Sequence, residues 1–587
     1  MNSHKKYRYK DDPLPPEKIE RLKAEVLTGR KPLGSEFFEY NHANLDSDLY
    51  QILFDGHSTY LYEGRDERPS IIVGRKGAGK STYLHNLACK PRIIPIRIIN
   101  WKLISEVQQI ISIIINDGQE IRAERASYIL QWFMLAITAL EINAEDSNSE
   151  LIDRFMKYMP RESYAEEGSD VLTGFVSEQI RSVAKGEKSK EDVDCKSILW
   201  IMEDRTRLID QVEIELNRIL KASDKVAIVL FDNEEFVLAP AQGHEGELLQ
   251  TAKEISISGL LNLCGRSNVG ATSIQLRYCI PAEQFFAFKE LSKTVGKDFS
   301  NMHLLHWTVG ELMSLIAHRY LLHLNVWKDD RPEYDAIYKQ LVEYDIYSRS
   351  GAFQLIQEIL PDKIRNGRGI PEDTMTYIAR HFQVLPRQLL AAFNAIISNA
   401  LDENSFKISP ISENAVVSAI RGKEGGMADE IIRAYLPRFP EAESIRKNVL
   451  PNMPLVFNYS DIRQYYDRKD LINNAKSVLK GFKDQGVPIS PERFERCLVE
   501  TGMVGRVEDA PGQNKRGYIN VKFEYSMPSR LIIGQNDKLA VHPLFSSDSI
   551  QRANDAYGPN VYGVYPTDTD PELDPDRYLI RQRFCSN

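Results

Sequence analysis

The sequence predicts an α/β protein built on a parallel sheet, and three stretches of the 587-residue chain predict this class. Residues 70–73 are an apolar strand that leads into a glycine-rich loop and then into helix-forming residues. Residues 225–232 are a continuous apolar run ending in an acid, which is typical of a strand buried on both faces of a parallel sheet. Residues 273–281 are interpreted as a further strand. Helical segments separate the three, and strands that alternate with helices favour parallel pairing.

Composition sets outer limits on the function. Hydrophobic residues make up 42% and charged residues 27% of the chain, as in ordinary globular proteins, and the length predicts two to four domains. The net charge of −9 argues against a protein-wide grip on nucleic acid. Six cysteines without a C-x-x-C pair predict a reducing, cytoplasmic setting rather than a disulfide or metal framework. We expect no signal peptide and no membrane span.

The glycine-rich loop matches the pattern G-x-x-x-x-G-K-[ST] completely. Glycines let backbone N–H groups curl around phosphates, and the following helix directs its positive end at the same anion. The predicted cofactors are therefore ATP and Mg²⁺, with Lys80 reaching the β- and γ-phosphates and the Ser81 hydroxyl ligating the metal. A chance match is the alternative, and the strand–loop–helix context disfavours it. The predicted binding residues are Gly74, Arg75, Lys76, Gly77, Ala78, Gly79, Lys80, Ser81 and Thr82.

The acidic end of the strand at 225–232 predicts the second half of the site. In an open parallel sheet, ligands bind beyond the carboxyl ends of the strands. We expect Asp232 to hold Mg²⁺ together with Ser81, and Glu234 to orient or deprotonate the attacking water. Related ATPases place that glutamate directly after the aspartate, whereas Asn233 stands there in this chain, so Glu235 competes for the role. A core strand that merely exits at an acidic turn is the other explanation.

The remaining strands follow from similar runs. Residues 91–100 are β-branched and predict the second strand, and residues 303–307 predict a short fifth strand that Thr308 caps into a helix over 309–322. The strand at 273–281 is expected between the two strands that carry the nucleotide site. The residues that follow it, Glu283 and Gln284, would then lie near the γ-phosphate as sensors, although a plain helix start fits equally well.

Arg387 is a candidate for a third catalytic role. The proline at 386 marks a helix start, and an arginine at this point of a helical lid can fold back onto the γ-phosphate and stabilise charge that develops during transfer. A solvated arginine is the alternative, but a positive charge at a helix N-terminus opposes the helix dipole.

The C-terminal third has a different pattern. Helices are predicted at 460–466, 471–482 and 491–501, and strands at 517–525, 530–533 and 538–541, an order that fits a winged-helix-like unit. Basic residues flank the predicted wing, so nucleic acid is a possible partner, but interspersed acids favour a protein contact or a structural wing. The basic residues are Arg506, Lys515, Arg516 and Arg530.

These elements predict five segments. They are an N-terminal arm (1–34) with one short helix at 16–27, a P-loop ATPase core (35–322) with a helical insertion at about 141–200, a helical lid (323–425), a winged-helix-like α+β domain (426–556) and an acidic, proline-rich tail (557–587). The arm is expected to be mobile and solvated, as charged termini commonly are. The tail is expected to pack as an extended arm or to stay disordered.

Together, several of these stretches resemble a bacterial family of P-loop ATPases related to the STAND and KAP groups. The resemblance implies an ATPase core, a helical lid and a winged helix that act as an oligomeric switch, often in anti-phage defence, where a partner protein carries the toxic activity. The stretches are residues 72–81, Phe231-Asp232, residues 306–312, residues 386–389 and residues 540–545.

One departure from related ATPases concerns the arginine finger. ATPases of the AAA type place it on the helix before the fifth strand, but residues 282–302 contain only lysines, namely Lys289, Lys293 and Lys297. Arg266 and Arg319 are the possible substitutes.

The leading hypothesis is a slow, ATP-hydrolysing switch ATPase that forms a homo-oligomer and regulates an effector encoded nearby. Two alternatives stay open. One is a DNA-binding ATPase that grips duplex with its winged helix, and the other is a scaffold that binds ATP without turning it over.

Overall fold

The computed structural model describes residues 8–28, 31–34, 49, 52–53, 70–88, 90, 92–98, 108, 111–112, 123–142, 149–152, 206–232, 243–267, 273–305, 307–366, 369–404, 410–467, 474–509, 518–524, 531–546 and 563–566. Contacts divide the chain into two compact units. The first unit comprises Met1–Tyr62, Gly77–Gly79 and His306–Asn587, and the second comprises Glu63–Lys76 and Lys80–Leu305.

The α-helices of the described residues are α1 (Arg8–Asp11), α2 (Pro16–Arg21), α3 (Lys80–Ala88), α4 (Ala123–Glu141), α5 (Thr206–Ala222), α6 (Gly243–Ser267), α7 (Phe285–Leu291), α8 (Val295–Asp298), α9 (Val309–Trp327), α10 (Pro332–Leu341), α11 (Arg349–Ile359), α12 (Thr374–Arg380), α13 (Pro386–Asn404), α14 (Glu413–Tyr435), α15 (Ala442–Asn448), α16 (Ile462–Tyr466), α17 (Ala475–Gly481) and α18 (Pro491–Glu500). The strands are β1 (Ile71–Gly74), β2 (Ile93–Ile98), β3 (Val226–Asp232), β4 (Ile274–Pro281), β5 (Met302–Leu305), β6 (Lys363–Arg365), β7 (Pro371–Asp373), β8 (Val456–Asn458), β9 (Val504–Asp509), β10 (Tyr518–Lys522), β11 (Lys538–Val541) and β12 (Gly563–Pro566). Within these described ranges, no helix is both long and apolar enough to span a bilayer.

The second unit is built on a five-stranded sheet with the order β2-β3-β4-β1-β5. Every neighbouring pair is parallel. The register sets Gly74 beside Pro281 and Asp232 beside Cys279, so β1, β4 and β3 end at the same edge of the sheet. The predicted α/β class, the five strands and the insertion of β4 between β1 and β3 are all confirmed.

Helices flank this sheet, and two of them, α4 and α6, pack against each other in the hydrophobic core of the second unit. The contact depends on Gly259, because a Cβ there would lie 2.7 Å from the Cβ of Ala126. Their apolar side chains join those of the strands in one buried cluster. α4 and α6 are among the helical segments that the sequence predicts between the strands.

The N-terminal segment of the first unit packs as part of the fold. Leu22, Leu27 and Leu33 are fully buried. The Trp327 indole donates to the Leu27 carbonyl (3.1 Å), and the Leu33 N–H donates to the Asn394 side chain (2.8 Å). For the described part of residues 1–34, the expectation of a mobile arm is wrong, because these leucines supply apolar surface that packs in the interior. The many lysines and glutamates around them made the segment look solvated in the sequence.

Helices dominate the first unit up to residue 448, as predicted. The capping box at the start of α9 is present, with Thr308 accepting from the Glu311 N–H and the Glu311 carboxylate accepting from the Thr308 N–H. The sequence did not predict the small antiparallel hairpin of β6 and β7. Each of its strands has three residues, too few to establish a period of two.

The C-terminal part of the first unit contains a second five-stranded sheet, with the order β12-β10-β9-β11-β8. β12 pairs parallel with β10, and the other neighbours are antiparallel. The strand predicted at 538–541 is present with these bounds, and the strand predicted at 517–525 and the helices predicted at 460–466, 471–482 and 491–501 are present with shorter bounds. Residues 531–533 do not form the strand expected at 530–533, and β8, β9 and β12 were not predicted.

A buried ion pair connects the β6–β7 hairpin, α12 and this second sheet. Arg380 Nε lies 2.7 Å from Glu372 Oε1, and both side chains are fully buried. The Tyr518 hydroxyl on β10 donates to the same Glu372 oxygen (3.1 Å), and the Asn366 amide donates to the other oxygen (3.3 Å). Burial and the Glu372 carboxylate raise the pKa of Tyr518, which keeps its hydroxyl a neutral donor.

Glu372→Gln should lower the free energy of unfolding by about 3–5 kcal/mol, because it leaves the Arg380 guanidinium buried without a counter-charge. Urea-induced unfolding measures this. Asp335→Asn is the control, since it removes the exposed Lys339–Asp335 pair and should cost under about 0.5 kcal/mol. Equal shifts for the two variants would mean that the buried pair contributes no more than the exposed one.

A second polar contact in the first unit joins α14 to the end of α12. Glu424 Oε1 lies 3.3 Å from His381 Nε2, and His381 Nδ1 lies 2.7 Å from the Tyr377 carbonyl. Burial raises the pKa of Glu424 to about 7 against the opposing charges of Arg380 and Arg421. Burial also lowers the pKa of His381 well below its ordinary value. A neutral imidazole with its proton on Nδ1 therefore accepts at Nε2 from a neutral carboxyl group.

The stability contributed by the protonated Glu424 should be full below about pH 4.5 and be lost as the pH rises through about 7, because the folded chain binds this proton more tightly than the unfolded chain. Glu424→Gln stays neutral, so its stability relative to the wild type should rise by up to about 3 kcal/mol between pH 4.5 and pH 8. Urea unfolding at a series of pH values measures the difference, and comparison at each pH removes the titration of His381. The exposed Glu443→Gln should show no such gain, and a pH-independent difference for Glu424→Gln would contradict the assignment.

Candidate functional site

The glycine-rich loop joins the end of β1 at Gly74 to the start of α3 at Lys80. Gly77 has φ +85° and Gly79 has φ +94°, both in the left-handed region that L-residues avoid. The pattern therefore has a structural reason: the chain turns sharply twice within three residues. The two turns bring the loop onto the N-terminus of a nine-residue helix.

Lys80 folds back over its own loop. Its Nζ donates to the Gly74 carbonyl (3.0 Å) and the Arg75 carbonyl (3.2 Å), and the side chain is buried. Ser81 and Thr82, which follow on the first turn of α3, are buried as well. An ammonium group held at a helix N-terminus can offer its hydrogens to an anion in place of the two carbonyls.

The tip of the loop, Gly77–Gly79, belongs to the first unit and has two contacts there. The Trp307 indole donates to the Ala78 carbonyl (2.7 Å) and is buried. A Cβ at Gly77 would lie 3.1 Å from the Cβ of Arg387, so the arginine side chain passes directly over this glycine. The role predicted for Arg387 at the γ-phosphate stays a prediction.

Arg387 has a carboxylate partner in this position. Its NH1 lies 2.6 Å from Glu430 Oε1 on α14, and both side chains are partly buried. The alternative of a freely solvated arginine at a helix start therefore does not describe it. Neither Trp307 nor Glu430 was predicted as part of the site, because each contacts its partner over a long sequence separation and no local pattern marks it.

The predicted acids after β3 are only partly described. Asp232 is the last residue of β3 and pairs in register with Cys279 of β4. The backbone of Asp232 therefore ends at the edge of the sheet from which the glycine-rich loop starts, one strand away. Asn233, Glu234 and Glu235 lie outside the described residues, so the choice between the two glutamates stays a prediction.

Glu283 lies against the loop. The Lys76 N–H donates to Glu283 Oε1 (2.8 Å), and the Glu283 side chain is 6% exposed. Glu283 and the buried Gln284 form a 3₁₀ turn, Ala282–Gln284, directly after β4. Glu283 thus contacts the loop, near which the sequence predicted it. The helix start that was the alternative prediction is also present, because the turn leads directly into α7.

The two substitute finger arginines are engaged inside their own units. Arg266 NH2 donates to Gln131 Oε1 (2.8 Å) and stacks on Tyr128, 4.3 Å from its ring centre. Arg319 is 1% exposed and donates from NH1 to the Leu33 carbonyl (3.2 Å). Both arginines therefore have structural roles, and neither side chain extends from its unit as an arginine finger would.

Of the four basic residues that flank the predicted wing, the structure describes Arg506. Arg506 donates from NH1 to the Ile532 carbonyl (2.6 Å) and lies 3.6 Å from a Glu508 oxygen. Lys515, Arg516 and Arg530 lie outside the described residues.

The residues present suit a phosphate group with its metal better than a metal held by protein alone. Among the described residues, no group of three or more His, Cys, Asp and Glu side chains could hold a metal ion. A Mg²⁺ bound with nucleotide does not need one, because it keeps waters and phosphate oxygens and takes one or two protein ligands. A hydroxyl such as that of Ser81 is a ligand of that kind.

Comparison with known proteins gives no further guidance, since no family model, no curated protein and no solved structure matches this chain.

Gly77→Ala should destabilise the protein by about 1–2 kcal/mol, because the new Cβ forces a left-handed residue and presses on Arg387. Gly296→Ala is the matched control. Gly296 is inside helix α8, and a Cβ there meets nothing within 4 Å, so this change should be neutral or stabilise by about 0.4–1 kcal/mol. Urea unfolding of both variants measures the difference, and equal effects would argue against strain at the loop.

Proposed function

We propose that this protein binds ATP with Mg²⁺ at the Gly74–Thr82 loop and hydrolyses it slowly as a conformational switch. The observation that supports this most is the strand order of the second unit: β1, which carries the loop, and β3, which ends at Asp232, flank β4 and run parallel to it. Ligands of parallel sheets bind at the carboxyl ends of the strands, which is where both features are.

In this proposal the loop amides and the N-terminus of α3 hold the phosphates, and Lys80 exchanges the Gly74 and Arg75 carbonyls for phosphate oxygens. Ser81 and Asp232 would hold Mg²⁺, directly or through water. When bound, Mg²⁺ neutralises charge on the β- and γ-phosphates. The left-handed glycines support this assignment, because a residue without a side chain adopts this backbone conformation and places no Cβ between the loop amides and a phosphate.

For hydrolysis we propose Glu234, with Glu235 as competitor, as the group that activates water, and Arg387 as the positive charge that stabilises the transition state. The contact of Arg387 with Gly77 supports the second role. Glu430, which now pairs with Arg387, would be exchanged for the γ-phosphate.

The wider biology is proposed on the resemblance alone. It comprises a helical lid over 323–425, a winged-helix-like domain over 426–556, a homo-oligomer in the cytoplasm, and regulation of an effector protein in anti-phage defence. The helices α10–α13 and the three helices with the second sheet are compatible with the first two parts.

Lys80→Ala should weaken Mg²⁺-ATP binding by about 10- to 100-fold, because it removes charge-assisted hydrogen bonds to the phosphates. Titration calorimetry measures the affinity, and phosphate release measures turnover. Lys289→Ala, which removes an exposed lysine on α7, is the control and should change neither.

Asp232→Asn should keep most ATP binding and lose Mg²⁺-dependent turnover. If the wild type binds no ATP, or if Lys80→Ala binds it as the wild type does, the proposed function is wrong. If the wild type binds ATP and releases no phosphate over hours, the non-hydrolysing scaffold replaces the ATPase.

A further inference from the structure

We propose that Glu283 is the carboxylate that orients and deprotonates the attacking water in ATP hydrolysis. This inference rests on the ATP hydrolysis proposed above and revises one part of it: the base is Glu283, which follows β4, instead of Glu234 or Glu235, which follow β3.

The strand order gives Glu283 its position. β4 is hydrogen-bonded to β1 on one side and to β3 on the other. Pro281, its last residue, pairs with Gly74, the first residue of the loop. Glu283 follows two residues later in a tight turn, so it stands beyond the sheet at the same edge as the loop. A residue placed there lies between the strand that holds the phosphates and the strand that ends at Asp232.

The loop itself fixes the carboxylate. The Lys76 N–H donates to Oε1 over 2.8 Å, and Glu283 is only 6% exposed. The other oxygen, Oε2, is buried and accepts no hydrogen bond from any described residue. Because the two oxygens share one carbon atom, the bond to Lys76 holds Oε2 beside the loop as well.

The chemistry of the carboxylate restricts what Oε2 can bind. An ionised carboxylate only accepts hydrogen bonds, and the oxygens of a nucleotide triphosphate at neutral pH are acceptors too. Oε2 therefore cannot bind the phosphates directly, and its partner at a phosphate site is either the Mg²⁺ ion, which the proposed function assigns to Ser81 and Asp232, or a group that brings an O–H or N–H. A water next to the γ-phosphate is such a partner, and a carboxylate that accepts from it can take its proton.

The step balances as follows. The water oxygen forms a bond to the γ-phosphorus while one of its protons passes to Oε2. The bond between the γ-phosphorus and the bridging oxygen breaks, and ADP leaves with that electron pair. Glu283 then returns the proton to solvent or to the released phosphate.

Glu283→Gln tests the role in the full-length protein. The amide oxygen still accepts from the Lys76 N–H, so the loop stays anchored, but the side chain no longer takes a proton. We expect ATP affinity within about threefold of the wild type and a fall in kcat of about 100-fold or more. Glu290→Gln, an exposed charge-matched change on α7, should leave both unchanged. Glu234→Gln and Glu235→Gln are measured beside it and should retain more turnover than Glu283→Gln.

The outcomes separate this inference from the proposed function. Turnover of Glu283→Gln close to that of the wild type overturns the inference and leaves the ATPase standing, as does a larger loss in either rival variant. Loss of ATP binding by folded Glu283→Gln also overturns it, because it would assign Glu283 to anchoring the loop. If that variant does not fold, Glu283→Asp serves instead. It keeps the charge but withdraws the oxygen by one methylene, and unchanged kcat there would count against the inference. A wild type that neither binds nor hydrolyses ATP refutes the proposed function itself.

Discussion

The parallel hydrogen bonding of β4 to both β1 and β3 is the constraint on which the candidate site depends. It ends three strands at one edge and thereby brings together three sites that are far apart in the chain, namely the loop after Gly74, Asp232 and Glu283. A single helix or loop could not hold these residues together, because they belong to different segments of the chain. The sheet supplies a common frame, and the loop amide bound to Glu283 completes the link between β1 and β4.

The first unit relies on polar groups in its interior as well as on apolar packing. Glu372 is shared by an arginine, a tyrosine and an asparagine from three different segments, which makes their relative positions specific. A hydrophobic contact is non-directional and tolerates slippage, whereas a carboxylate with several donors fixes distances and angles. The price is that each buried group depends on the presence of the others.

Local chemistry decided how much of this could be predicted from the sequence. The loop was predictable because its glycines and Lys80 stand at fixed spacing, and β3 was predictable because a strand buried on both faces is continuously apolar. Glu283 was reachable once β4 was placed beside β1. Contacts across long separations were not: nothing near Trp307 indicates Ala78, and nothing near Arg319 indicates the Leu33 carbonyl. β12 was not predicted, because a segment of four residues that includes a glycine and a proline has no pattern typical of a strand.

The position of β12 has a consequence for how the protein behaves in solution. All four of its residues are buried, and it covers the outer edge of β10. An uncovered β10 would present unpaired N–H and C=O groups beside buried Ile519 and Val521, which is the combination that recruits strands from other molecules. β12 therefore moves the edge of the second sheet from β10 to a strand of four residues that includes Gly563 and Pro566, and a short edge strand with a proline is a poor template for strands of other molecules.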